Sequence, residues 1–156
     1  MAQVRVGWTA EKSTAEMGRR TYAARPSKTY RGWNQDELFA AYLGMAEETR
    51  SHLVNRVVNN HDAAFRWLTY WQPNFDWRPD QCAGGNIQNM FQSMLLQWDG
   101  KRIFLAPAWP KDWDCEFRLH APFQTTIEGT IQKGQLTLTR VTPESRRADI
   151  VICPVQ

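Results

Sequence analysis

The sequence predicts an α+β chain in which a helical hairpin precedes a small antiparallel β-unit. Apolar residues recur at helical spacing over about 35–58 and again from about Asn86 to Trp98. Past residue 100 the apolar period drops to two, with β-branched runs separated by turn residues. Between the two helical stretches lies a long connection, residues 59–84, with few signals of regular structure. A connection of that length inside a compact domain is either functional or disordered, and its aromatic content argues against disorder.

The first 32 residues alternate small, basic and polar side chains without a stable period, and Pro26-Ser27-Lys28 reads as a turn. A weakly ordered basic arm over 1–32 is expected. The charge is uneven: residues 1–33 hold seven Lys/Arg against two Glu, whereas residues 34–156 hold twelve against fourteen acids. A solvated tail explains this excess better than a nucleic-acid-binding arm, and the remaining body is near neutral. No nucleic-acid partner is expected.

The first long helix opens at Asn34-Gln35-Asp36-Glu37, where Asn34 suits the cap and Glu37 completes a capping-box-like pair. Leu38, Tyr42, Met45, Leu53 and Val57 make its apolar stripe, and Asn59-Asn60 is its stop. Within the connection, Pro73 and Pro79 rule out a continuous helix. The second helix carries Ile87, Met90, Phe91, Met94 and Leu95 and ends near Trp98-Asp99-Gly100. Five short strands follow at about 102–106, 116–119, 125–131, 135–141 and 149–153, with Lys133-Gly134 as a hairpin turn. The change of period puts a domain boundary at 99/100, between a helical unit over 33–99 and a β-domain over 100–156.

The chemistry concentrates in Phe65 to Leu96. That stretch opens with six aromatics in thirteen residues: Phe65, Trp67, Tyr70, Trp71, Phe75 and Trp77. Asp76 and Asp80 then flank a proline before Gly84-Gly85. Aromatic plates beside carboxylates suit carbohydrate: Trp71 and Trp77 stack on sugar faces, while Asn74, Asp76 and Gln81 hydrogen-bond hydroxyls. The competing reading is that the aromatics fill the gap between helices and β-unit. Likewise, Asp80 either caps the following helix, pairs with Arg78, or acts on a water.

The three cysteines, Cys82, Cys115 and Cys153, show no ligand spacing, and His61 and His120 have no spaced partner. No metal and no cofactor are expected. A bridge between Cys115 and Cys153 is the only pairing the strand pattern suggests. The glycine pair lacks a GxGxxG or GK[ST] context and implies no phosphate site. No apolar run is long enough to cross a membrane, and the N-terminus lacks the about 7–15-residue apolar core of a secretory signal.

The order of segments resembles a known family. RGWNQDELFAAYLGMAEE, WQPNFDWRPDQ, MLLQWDGKRIFLAPAWPKDWD and HAPFQTTIEGTIQKGQLTLTRVTPESRRADIV follow one another over about residues 30–156. This resembles the C-terminal end of bacterial six-hairpin (α/α)6 glycoside hydrolases, similar to the family 95 α-L-fucosidases. The most telling piece is Met94 to Arg147, with Leu105-Ala-Pro-Ala-Trp-Pro110. The resemblance implies that the helical hairpin is the last of an α/α barrel and that the β-unit is a β-sandwich. It also implies a carbohydrate substrate, an oligosaccharide or a plant or host glycan. It implies exported full-length relatives and, as a partner, the remainder of the barrel if that is encoded separately.

In the family, the catalytic Asp lies in the loop before the last barrel helix. Counting back from Met94-Leu-Leu, the matching position holds Cys82, and a two-residue shift brings Asp80 into the role. The family's general-acid Glu lies on earlier hairpins and has no counterpart here. Inverting hydrolysis needs two carboxyls roughly 6.5–9.5 Å apart, so Asp80 supplies one partner at most. The expectation is therefore a C-terminal glycosidase fragment without a complete active site. The alternatives are a stand-alone carbohydrate-binding or interaction module and, least favoured, a nucleic-acid binder.

Overall fold

A computed structural model describes residues 11–28, 34–58 and 81–155. The protein is α+β: among the described residues, four helices precede two three-stranded sheets. The helices are α1 (Lys12–Ala23), α2 (Asp36–Tyr42), α3 (Ala46–Val58) and α4 (Gln81–Leu95). The strands are β1 (Leu96–Asp99), β2 (Arg102–Leu105), β3 (Cys115–Ala121), β4 (Thr125–Gln132), β5 (Gln135–Thr142) and β6 (Ile150–Ile152). A 3-10 turn, Glu144–Asp149, precedes β6.

Within the span expected to be a weakly ordered basic arm, 1–32, residues Lys12–Ala23 form α1. It lies outside a periodicity reading because its buried face is narrow: only Ala15 and Tyr22, seven residues apart, are buried. Tyr22 packs with Ala40, Leu43 and Met45. Its hydroxyl lies 3.1 Å from His52 Nε2 on α3. Three basic residues of this segment are engaged with the helical layer. Arg19 Nε donates to the Leu43 carbonyl at 2.9 Å, Arg25 pairs with Asp36, and Lys28 sits 3.7 Å from Glu48.

The helix expected over 35–58 is two helices. Gly44 has φ +69°, a left-handed conformation that a glycine adopts without penalty. The Gly44 N–H donates to Ala41 O and the Met45 N–H to Ala40 O, both at 3.0 Å, which is the Schellman ending of a helix. Apolar spacing continues through the break, so a stripe alone does not show it. The capping box is also absent. Gln35 is the N-cap, no side chain caps α2, and Asp36 and Glu37 turn to arginines instead.

The second predicted helix starts earlier and ends earlier than its stripe suggests. Leu96 to Asp99 leave α4 directly as β1, which forms a hairpin with β2 across Gly100 (φ +57°). The passage from helix to strand thus falls at 95/96, inside the unit expected to end at 99. The Ala106 N–H donates to Leu95 O at 2.7 Å and the Ala108 N–H to Met94 O at 3.2 Å. The buried run from Ile103 to Pro110 therefore closes the C-terminal end of α4 by satisfying its last carbonyls. Trp109 packs edge-on to Trp113 at 5.7 Å and donates its indole N–H to Trp113 O at 2.8 Å.

The first sheet has order β1-β2-β6, and β6 pairs with β2 in parallel. This corrects the wholly antiparallel reading for that sheet. The second sheet, β3-β4-β5, is antiparallel throughout. In β4, Thr125, Ile127, Gly129 and Ile131 face inward and alternate with half-exposed neighbours. Lys133 and Gly134 both have positive φ (50° and 75°), as a two-residue hairpin turn requires. The Lys133 N–H donates to Asp114 Oδ1 at 2.7 Å.

The larger hydrophobic cluster joins Ala41, Leu53, Met90 and Met94 of the helices to Ile103, Leu105, Phe117, Ile127 and Ile131 of the sheets, and a smaller one gathers around Tyr22. Arg146 fastens the two sheets to each other. Its Nε donates to Thr125 Oγ1 at 3.0 Å and its Nη2 to Lys101 O at 2.9 Å, while Nη1 pairs with Asp149. Cys115 and Cys153 are free thiols, so the suggested bridge between them does not form.

Candidate functional site

Of the residues expected to act on carbohydrate, Trp71, Asn74, Asp76, Trp77 and Asp80 lie outside the described residues. Gln81 is the first residue of α4. The described residues do define the frame of that segment. It leaves after Val58, the last residue of α3, and rejoins at Gln81.

That frame carries a set of buried polar groups. Glu37, at the start of α2, and Arg56, in the last turn of α3, form an ion pair with 2.7 Å between Oε1 and Nη2. Their side chains are 0% and 1% exposed. The same Arg56 Nη2 donates to the Asn34 carbonyl at 2.7 Å. Asp36, also buried, pairs with Arg25. Beside them the Gln35 amide donates to Asn86 Oδ1 at 3.2 Å, linking the entry of α2 to the buried second turn of α4.

Burial pushes the Glu37 carboxyl above its ordinary range, and Asp36 nearby adds to this. The Arg56 guanidinium and a backbone hydrogen bond pull in the other direction and do not fully offset it. A carboxyl that resists ionisation has the character of a proton donor. Its full enclosure by Arg56 also fits a purely structural pair. The reading of Glu37 as part of a capping box hid this, because partners distant in sequence leave no local signal.

On the opposite flank of α3, Arg50 reaches the loop after β2. Its Nη1 and Nη2 lie 3.0 Å from the two Asp112 oxygens, a two-pronged contact, and its guanidinium lies 5.6 Å from the Trp113 ring centre. Asp112 and Asp114 thus anchor that loop to the helices and to the β4–β5 turn. Among the described residues there is no group of three or more His, Cys, Asp or Glu placed to hold a metal. No described helix is long and apolar enough to cross a membrane.

No protein-family model, no curated protein and no solved structure matches this chain.

Proposed function

We propose that this chain is the C-terminal portion of a glycoside hydrolase acting on glycosidic bonds, α-L-fucosidase-like, without a complete active site of its own. In this reading the helices belong to the last hairpin of an (α/α)6 barrel, and the sheets are its C-terminal β-sandwich domain. The segment from Trp71 to Gln81 forms one wall of the site, with Asp80 as half of an acid–base pair. The observation that carries the reading is the coincidence of two features at one end of the helical layer. The aromatic, acidic segment joins there, and the buried Glu37–Arg56 and Asp36–Arg25 pairs lie beside its junctions. The exposed apolar residues Phe39, Val54 and Val57 on α2 and α3 support it further, since neighbouring hairpins would cover them.

The test is hydrolysis of aryl α-L-fucosides and related glycosides by the isolated chain. No turnover is expected. Robust turnover abolished by Asp80→Asn would show that the chain holds a complete site and overturn the fragment reading.

A stand-alone carbohydrate-binding module is the second reading, and the continuous core favours it. Met90, Met94, Ile103, Leu105, Ile127 and Ile131 are fully buried without any other chain. In this case glycan binding is lost on Trp77→Ala, and no hydrolysis accompanies it.

A further inference from the structure

A recessed site lies at the C-terminal end of α4. A cleft of about 420 Å³ opens between the last two turns of α4, β1, the α2 face carrying Leu38 and Tyr42, and the edge of β3. This volume lies within the ~300–1,000 Å³ of small-molecule sites. Gln92 stands on α4 roughly 16 Å along the helix axis from Gln81, where the aromatic segment rejoins.

The lining has a distinct chemistry. Asn89, Gln92 and Gln97 contribute three amides, and Trp98, 42% exposed, contributes an aromatic plate. Arg118 and His120 stand on the β3 rim, and no Asp or Glu is among the lining residues. Gln97 is held rigidly: it is 5% exposed, and its amide nitrogen donates to Ala41 O at 2.8 Å and to Ser93 O at 2.9 Å. With both amide protons spent inside, Gln97 meets the cleft as an acceptor. Asn89 and Gln92 are exposed and supply donors as well as acceptors. Paired amide donors and acceptors suit vicinal hydroxyls, and an indole face suits the C–H face of a sugar ring. The Arg118 Nε lies 3.4 Å from Glu128, but its side chain is 71% exposed. Such an exposed pair is weak and leaves the guanidinium open to a competing carboxylate. His120 is oriented by Thr126, whose hydroxyl lies 3.1 Å from Nδ1.

We propose that this cleft binds an acidic carbohydrate, with one sugar ring over Trp98, its hydroxyls on the Asn89, Gln92 and Gln97 amides, and its carboxylate at Arg118. Its lining residues lie on α2, α4, β1 and β3, and the proposal stands whether or not the chain belongs to a glycosidase.

The experiment is calorimetric titration of the full chain with short oligogalacturonates and, as a neutral control, malto-oligosaccharides of equal length. The expected result is saturable binding of the acidic series in the millimolar range or tighter. Trp98→Ala and Arg118→Gln each weaken it about tenfold or more, and Arg118→Gln also abolishes the preference for acidic over neutral sugar. Both side chains are exposed, and an unchanged circular dichroism spectrum identifies variants that keep the fold. Trp71→Ala and Trp77→Ala leave this binding unchanged, which separates it from the site of the proposed function. The proposal is overturned by no heat of binding at about 10 mM acidic ligand. Equal affinity for the neutral series overturns it too, as does binding lost in Trp77→Ala but kept in Trp98→Ala.

Discussion

Glu37 and Arg56 make a 2.7 Å ion pair that solvent does not reach, although they sit at opposite ends of a stretch whose apolar spacing reads as one helix. On an unbroken helix the two would stand roughly 28 Å apart. The reversal at Gly44 brings them together. Removing one partner leaves the other charge buried, so Arg56→Met is expected to destabilise the fold by about 3–5 kcal/mol in urea titration. Glu37→Gln costs less, because burial already disfavours the Glu37 charge. The sign follows from its raised pKa. The stability linked to Glu37 is full below the ordinary carboxylate range and falls as pH rises through the folded-state pKa. Wild type therefore loses stability relative to Glu37→Gln as pH increases. A gap between the two that does not change with pH would refute this.

Tyr22 gives a second pH signature at the alkaline end. Burial, then the charges of Glu48 and Asp36, raise its phenol above the ordinary value of 10.0. The unfolded chain ionises this tyrosine first, so stability declines as pH climbs past 10.0, by about 1.4 kcal/mol for one further pH unit. The check is the urea midpoint of wild type against Tyr22→Phe between about pH 8 and 11. The phenylalanine variant lacks this component of the alkaline loss. In the wild type, ultraviolet titration shows a tyrosine that ionises only with unfolding.

Two glycines are predicted to resist alanine for different reasons. Gly44→Ala puts a side chain at φ +69° and costs about 1 kcal/mol. Gly129→Ala places its methyl 2.7 Å from Thr137 O and 2.8 Å from the Phe117 ring, so backbone or core must shift, at about 1–3 kcal/mol. Gly84 and Gly85, with no atom of the described residues within 4 Å of an added methyl, tolerate alanine. Thermal unfolding of the four variants should rank them in that way.

The exposed apolar residues predict association. Phe39, Val54 and Val57 are 43%, 40% and 48% exposed. Val54 and Val57 are one turn apart on α3 and share a face. Sedimentation velocity over a concentration series is expected to show self-association that a Val54→Ser/Val57→Ser double variant reduces. A monomer with a sharp, concentration-independent unfolding transition would contradict this.

What could be read from the sequence, and what could not, divides by the range of the interaction. The β4–β5 hairpin was legible because Lys133-Gly134 and the alternating β-branched residues are local signals. The stripes of α3 and α4 were legible because their apolar faces are wide. The Gly44 reversal sits within a continuing stripe, where a single residue's backbone angle outweighs the periodicity. The narrow docking face of α1, the parallel seat of β6 and the Arg146 fastening depend on partners far along the chain. The candidate carbohydrate residues of the aromatic segment were chosen from side-chain chemistry, and their arrangement lies outside the described residues. The cleft beside Trp98 was missed because its amides come from two elements and Arg118 and His120 from a third.

The parallel seat of β6 also implies an order of assembly. Ile150 to Ile152 pair with Ile103 to Leu105, and the whole second sheet lies in the intervening chain. The α2–α3 reversal and the β4–β5 hairpin close short loops and can form quickly. The first sheet must close a long loop before its third strand gains any contact. In a refolding experiment read by hydrogen exchange, the Cys153 amide, which donates to Leu105 O at 2.9 Å, should gain protection after the β4–β5 amides do. Until then β2 presents an open edge, available for pairing with another chain during folding.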